Sequence, residues 1–349
     1  MNEHQTLDRH LAEWSGDDEM RKDVADTVRS IAEACCAIAE IIALGPLAGT
    51  LGARHGENVD GDTQVELDIR ANDLMIEELR QAPVACVASE ELELPVPLNQ
   101  GAPLCVAIDP LDGSSNIDTN VSVGTIFSVL PMRCSFCEPS PKCFVQRGEN
   151  QLAAGYVIYG PQTALVLTVG AGTHIYTLNP DTGVFCLTAE KVRIPEDTNE
   201  FAINTSNFRR WDGHIRAYVD DCLKGVDGPH EKNYNTRWIA SLVAECHRIM
   251  ARGGIFLYPG DRRPDYHKGR LRLAYECAPI AFLVEQAGGG ASTGYERIMA
   301  LDPEDVHERI PLIFGSINEV NLLDHYYEEV HPFQERWQLF GDRGLFRTG

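Results

Sequence analysis

The chain has 349 residues, with 30 basic and 52 acidic side chains, a formal net charge of −22 and 44% hydrophobic residues. That apolar content excludes a disordered chain, and the charge argues against nucleic acid or an anionic membrane as the main partner. No run of about 18 apolar residues stands out, so no bilayer span is expected. The N-terminal MNEHQTLDRHLAEW lacks an apolar signal core, so most of the 11 cysteines are expected to be reduced and buried, in the cytoplasm.

Residues 1–20 are polar and are expected to be loosely held. Val24, Val28, Ile31, Cys35, Ile38 and Ile42 recur at three- and four-residue spacings, the stripe of an amphipathic helix ending before Gly45-Pro46. Residues 66–80 read as a second helix, stopped before Pro83. Short apolar runs at 84–88 and 104–108 suit buried strands, and more strands are expected at 125–130, 155–159, 164–169, 174–178 and 184–187. Strands in such succession, with little helix between them, predict a mostly antiparallel sheet.

After residue 195 strand-like pieces (201–204, 255–258, 311–314) alternate with helical ones (212–223, 238–251, 273–287, 317–329). The expected division is a flexible N-terminus (1–20), a mixed-sheet domain (21–197), an α/β domain (198–333) and a C-terminal tail (334–349).

The chemistry concentrates in Asp109-Pro110-Leu111-Asp112-Gly113-Ser114-Ser115-Asn116-Ile117-Asp118, which follows the apolar run LCVAI. Two carboxylates at a strand end can hold hard cations. The Gly-Ser-Ser turn offers N–H groups and hydroxyls to a phosphate. The plainer reading is an acidic turn followed by a serine N-cap. Glu90 and Glu91 close another strand, where one can ligate a metal and the other accept a proton. On their own they are equally at home in a solvated loop. Asp68 and Asp73 share a helix, five residues apart, and either alone could be a surface acid. Glu276 opens an apolar helix, where any acid is favoured by the helix dipole.

The decamer DPLDGSSNID, with SEE (89–91), VGTIF (123–127), AAGY (153–156), GGIFLYP (253–259) and LRLAYE (271–276), resembles the class I fructose-1,6-bisphosphatases. These belong to the magnesium-dependent, lithium-sensitive sugar phosphatase superfamily, and the resemblance covers roughly residues 20–330. It implies a layered α/β/α/β/α sandwich, assembled as a homotetramer, that hydrolyses the 1-phosphate of fructose 1,6-bisphosphate. It implies that Glu90, Asp109, Asp112, Glu276 and the Leu111 carbonyl ligate two or three Mg²⁺ ions, with Mn²⁺ as a substitute. Glu91, paired with Asp73 and supported by Asp68, would take the proton from the attacking water. Asp112, Gly113, Ser114 and Ser115 would hold the 1-phosphate. Asn204, Tyr258, Arg270 and Arg237, the last from a neighbouring subunit, would hold the second phosphate.

The sequence departs from the vertebrate pattern at several points. Trp238 and Asn207 each stand where a tyrosine is usual, and residues 259–268 run about two residues longer. Ala102-Pro103 and Pro131 replace the basic and phenolic residues of the AMP site, which predicts weak or no AMP inhibition there. Cys134, Cys137 and Cys143 cluster where chloroplast relatives carry regulatory cysteines, on a longer loop; here reduced thiols are the plainer reading and a redox switch the sharper one. The rival functions are a sedoheptulose-1,7-bisphosphatase or dual-specificity enzyme and, more remotely, a non-catalytic phosphate sensor. The latter predicts decay of the metal acids, all of which are present.

Overall fold

In a computed structural model, residues 4–57, 63–133, 140–263 and 266–328 are described. The expectation of a loose N-terminus does not hold for residues 4–20. Thr6 caps a helix, α1 (Leu7–Ser15), by accepting the Arg9 N–H, and Leu7 and Leu11 are buried. Its apolar residues Leu7, Leu11 and Trp14, at i, i+4 and i+7, pack on the core, a stripe too short to stand out among its polar neighbours. A longer helix, α2 (Glu19–Leu44), buries the stripe Val24, Val28, Ile31, Cys35 and Ile38, while Glu33 and Glu40 are exposed. Part of Glu19–Ala48 reaches a mean hydropathy of 1.8 over 18 residues, so length and composition do not by themselves rule out a span there, contrary to expectation. Here its apolar stripe is packed inside the protein.

The short strands β1 (Arg54–Glu57) and β2 (Thr63–Val65) pair and lead into α3 (Glu66–Leu79). There follow β3 (Val84–Ser89), β4 (Val96–Pro97), β5 (Leu104–Asp112), β6 (Val123–Pro131), β7 (Ala153–Tyr159), β8 (Thr163–Thr168), β9 (Thr173–Asn179) and β10 (Val184–Ala189). They form an eight-stranded sheet in the order β10-β9-β8-β7-β6-β5-β3-β4. As expected it is mostly antiparallel; the β3–β5 pair is parallel.

The C-terminal half runs β11 (Glu200–Ile203), α4 (Gly213–Leu223), β12 (Asn235–Thr236), α5 (Leu242–Arg252), β13 (Ile255–Tyr258), β14 (Leu271–Arg272), α6 (Ala278–Gln286), β15 (Gly290–Ser292), β16 (Arg309–Ile310), β17 (Leu312–Gly315) and α7 (Ile317–Glu328). Its sheet has the order β12-β11-β13-β17-β15. Helices α1, α2 and α3 share a core with one face of the large sheet. Helices α5 and α6 fill the space between the two sheets, and α4 and α7 cover the outer face of the smaller one. The layers therefore alternate α/β/α/β/α. The site lies where parallel β3 and β5 end side by side, against the start of α5.

Candidate active site

Asp109 and Asp112 stand three residues apart on β5, which in a regular strand would send them to opposite faces. A bulge corrects this: Asp109 pairs with Ile126 and Asp112 with Gly124, so three residues on β5 span two on β6. Both carboxylates are buried. Asp109 Oδ1 accepts the Leu111 N–H at 3.0 Å, and Asp112 Oδ2 accepts the Val243 N–H of the first turn of α5 at 3.0 Å. A helix N-terminus is a favourable seat for an anion. Glu276 reaches the same point from a π-helical turn, Leu273–Cys277, where its Oε2 accepts the Arg272 N–H at 2.6 Å.

Carboxylate oxygens of Asp109, Asp112 and Glu276 lie within 4.8 Å of one another. Burial, reinforced by the neighbouring acids, holds Asp109 well above the usual carboxylate range. Burial likewise pushes Asp112 up to about 6 and Glu276 up to about 8. Crowded, buried, all-oxygen donors of this kind fit a hard divalent cation, which would replace the protons. Glu90 and Glu91 follow the end of β3, and the Glu90 N–H extends the ladder to the Ile108 carbonyl at 3.0 Å. The buried Arg272 guanidinium pairs with Glu90. Arg272 was not singled out in the sequence, although it lies within the phrase LRLAYE.

A cavity of about 480 Å³ opens here, lined by Asp68, Glu90, Glu91, Asp109, Leu111, Asp112, Gly113, Ser114, Ser115, Arg270 and Glu276. Gly113 turns the chain in the left-handed region (φ 78°), so Ser114 and Ser115 open a short 3₁₀ helix on the cavity wall. Asp68 is buried, its Oδ2 accepting the Val65 N–H at 2.8 Å and its Oδ1 without a hydrogen-bond partner. Burial, with Glu90 nearby, raises it to about 7. Asp73 is exposed and does not line the cavity. Five residues turn a helix by ~140° past a full turn, and the face of α3 that packs inward carries Asp68.

A second, narrow pocket adjoins the first and is lined by Asn204, Asn207, Tyr258, Asp261 and Arg270, among others. Asn204, Tyr258 and Arg270 are thus brought together, with Arg270 facing both spaces. Arg237 is not in this group; it is exposed and pairs with Glu200 at 3.3 Å. Trp238 is stacked in parallel with Phe256 and Tyr258, at 5.8 and 6.2 Å between ring centres. Cys143 is a buried free thiol beside Cys105 and Cys86, while Cys134 and Cys137 lie outside the described residues. A larger cavity of about 860 Å³, between the end of α2 and Ser122–Val123, is lined by one acid, Asp118, and no cation, so it lacks this donor set.

The chain matches the family model of the fructose-1-6-bisphosphatase N-terminal domain over residues 5–190 and that of the C-terminal domain over 194–328. The chain belongs to the fructose-1,6-bisphosphatase family. It is 54% identical over 341 residues to a class 1 fructose-1,6-bisphosphatase of Xanthobacter autotrophicus, covering 98% of this chain and 92% of the relative. It is 52% identical over 345 residues to that of Sinorhizobium medicae, covering 98% and 99%. Among solved structures it is similar to Leishmania major fructose-1,6-bisphosphatase in holo form, with a TM-score of 0.87 and 33% identity over 93% of this chain and 99% of the other. The acidic cavity and the narrow pocket share Arg270 as a lining residue.

Proposed function

We propose that this cleft hydrolyses the 1-phosphate of fructose 1,6-bisphosphate, giving fructose 6-phosphate and phosphate. The observation that carries the reading is the convergence of Asp109, Asp112 and Glu276 within 4.8 Å, in a cavity that Arg270 also lines. Asp109, Asp112, Glu276, Glu90 and the Leu111 carbonyl would hold Mg²⁺, or Mn²⁺ in its place. The cation supplies charge neutralisation of the phosphoryl oxygens and a lowered pKa for water. Ser114 and Ser115, with the Gly113 turn, orient the 1-phosphate. Glu91 accepts the proton of the attacking water, and Asp68, on the same wall, is its supporting acid in place of Asp73. Asn204, Tyr258 and Arg270 receive the 6-phosphate.

Arg237 is exposed and lines neither pocket, which fits donation to a neighbouring subunit of a homotetramer. All nine cysteines among the described residues are free thiols, in keeping with a reducing compartment such as the cytoplasm. Asn207 lines the pocket where the resemblance places a tyrosine, and this smaller side chain favours a second reading, action on the longer sedoheptulose 1,7-bisphosphate as well. Phosphate release from both substrates, with and without Mg²⁺, tests all of this. Metal-dependent release from fructose 1,6-bisphosphate is expected. Absence of release from either substrate with metal present would overturn the assignment, and comparable release from both would establish dual specificity.

A further inference from the structure

Arg270 is the one cation lining either part of the cleft among the described residues, so the placement of its guanidinium decides what the second pocket can hold. An arginine side chain is long and loses much rotamer freedom when fixed. The structure shows what restrains it. The Arg270 guanidinium carbon lies 4.4 Å from the ring centre of Tyr266, and that of Arg263 lies 4.3 Å from the same centre. Both guanidiniums thus pack on the one Tyr266 ring. The ring is negative on both faces and attracts both cations.

The loop that carries Tyr266 is itself braced. The Asp261 N–H donates to the Tyr266 carbonyl at 3.0 Å, and the Tyr266 N–H donates to the Arg263 carbonyl at 3.0 Å. Gly269, at φ 104°, donates to the Tyr266 carbonyl at 3.1 Å, and a Cβ there would meet the Ile310 carbonyl carbon at 2.0 Å. Only glycine lets the loop close onto β16 directly before Arg270. Arg263 has a second effect. Asp261 lines the second pocket, where a bare carboxylate would repel a phosphate. Arg263 Nε donates to both of its oxygens at 2.9 Å and so cancels that charge.

We infer that Tyr266, on the lengthened 259–268 loop, is a positioning residue that holds the Arg270 guanidinium at the second pocket, with Arg263 packed on the same ring and neutralising Asp261. The inference rests on reading that pocket as the seat of the second phosphate. Steady-state kinetics of the full chain test it, with fructose 1,6-bisphosphate and with fructose 1-phosphate, which lacks the second phosphate. Tyr266→Ala is expected to raise KM for the bisphosphate about fivefold, the worth of a cation–π contact. Its loss on the monophosphate should be much smaller. Tyr266→Phe keeps the ring and should restore the wild-type KM. Adding Tyr266→Ala to Arg270→Ala should cost nothing further. Equal losses on both substrates, an unchanged KM in Tyr266→Ala, or additive losses in the double variant would overturn the positioning role. If Arg270→Ala alone leaves the bisphosphate KM unchanged, the reading of the pocket fails, and the inference fails with it.

Discussion

Asp112 answers to two neighbours at once: the acidic cluster and the N-terminus of α5. Removing its side chain would take away a proposed cation ligand and also strand the buried Val243 N–H, at a cost of about 1–3 kcal/mol. Asp112→Asn separates the two, because its amide oxygen can still accept that N–H while the charge is gone. The expected outcome is a fall in turnover of more than about a hundredfold with nearly unchanged thermal stability; near-normal turnover would refute the role in cation binding. The same scale distinguishes the two aspartates of α3. Asp68→Asn keeps an acceptor for the Val65 N–H but removes the acid, and should lower kcat by about 10²-fold or more. Asp73→Asn changes an exposed residue and should leave kcat near wild type. If the two variants behave the other way round, the face of α3 has been misassigned.

Elements made of long apolar runs were legible in the sequence; those made by partners were not. The runs at 84–88, 104–108 and 155–159 became strands, because buried strands in a large sheet need continuous apolar residues. Strands of two residues, such as β4, β12 and β14, have no period to read. The decamer at 109–118 displayed the site because strand, acids and turn are contiguous. What remained hidden was tertiary: the bulge that turns Asp109 and Asp112 to one face, the burial of Asp68 beside the exposure of Asp73, and the Arg272 counter-charge at Glu90. The seam between α4 and α7 was equally hidden. There the buried Glu319 Oε1 accepts the hydroxyls of Tyr218 at 2.8 Å and Tyr234 at 2.6 Å, and Oε2 faces Lys232 at 3.4 Å. Cys222 and His230 adjoin it, but the carboxylate is already engaged from both sides, so this cluster serves packing. Glu319→Ala leaves the buried Tyr218 phenol and the half-buried Tyr234 phenol without their acceptor and should lower unfolding free energy by about 2–4 kcal/mol. A urea denaturation midpoint equal to wild type would contradict that account.

Across the whole molecule, a charge of −22 surrounds a cleft that must admit an anion, so the balance between acids and cations governs stability as well as binding. Free Asp and Glu titrate near 4. In the folded, metal-free chain burial raises Asp112 to about 6 and Glu276 to about 8, and holds Asp109 well above the usual range. Their folded-state values exceed the unfolded ones, so the native state holds extra protons between about pH 4 and 8. The stability associated with those protons is present below pH 4 and is lost as pH rises through 6 and 8. A divalent cation requires the ionised carboxylates, competes with the protons and removes the repulsion that replaces them. Its stabilising effect should therefore grow with pH. Thermal melts at pH 6 and pH 8, with and without millimolar Mg²⁺, should show a larger rise in Tm at pH 8, and a chelator should abolish it at both. The Asp112→Asn variant should flatten this pH dependence, because it carries one fewer proton to exchange for the cation. An equal rise in Tm at the two pH values for the wild-type chain would mean that the cation binds elsewhere than among these three acids.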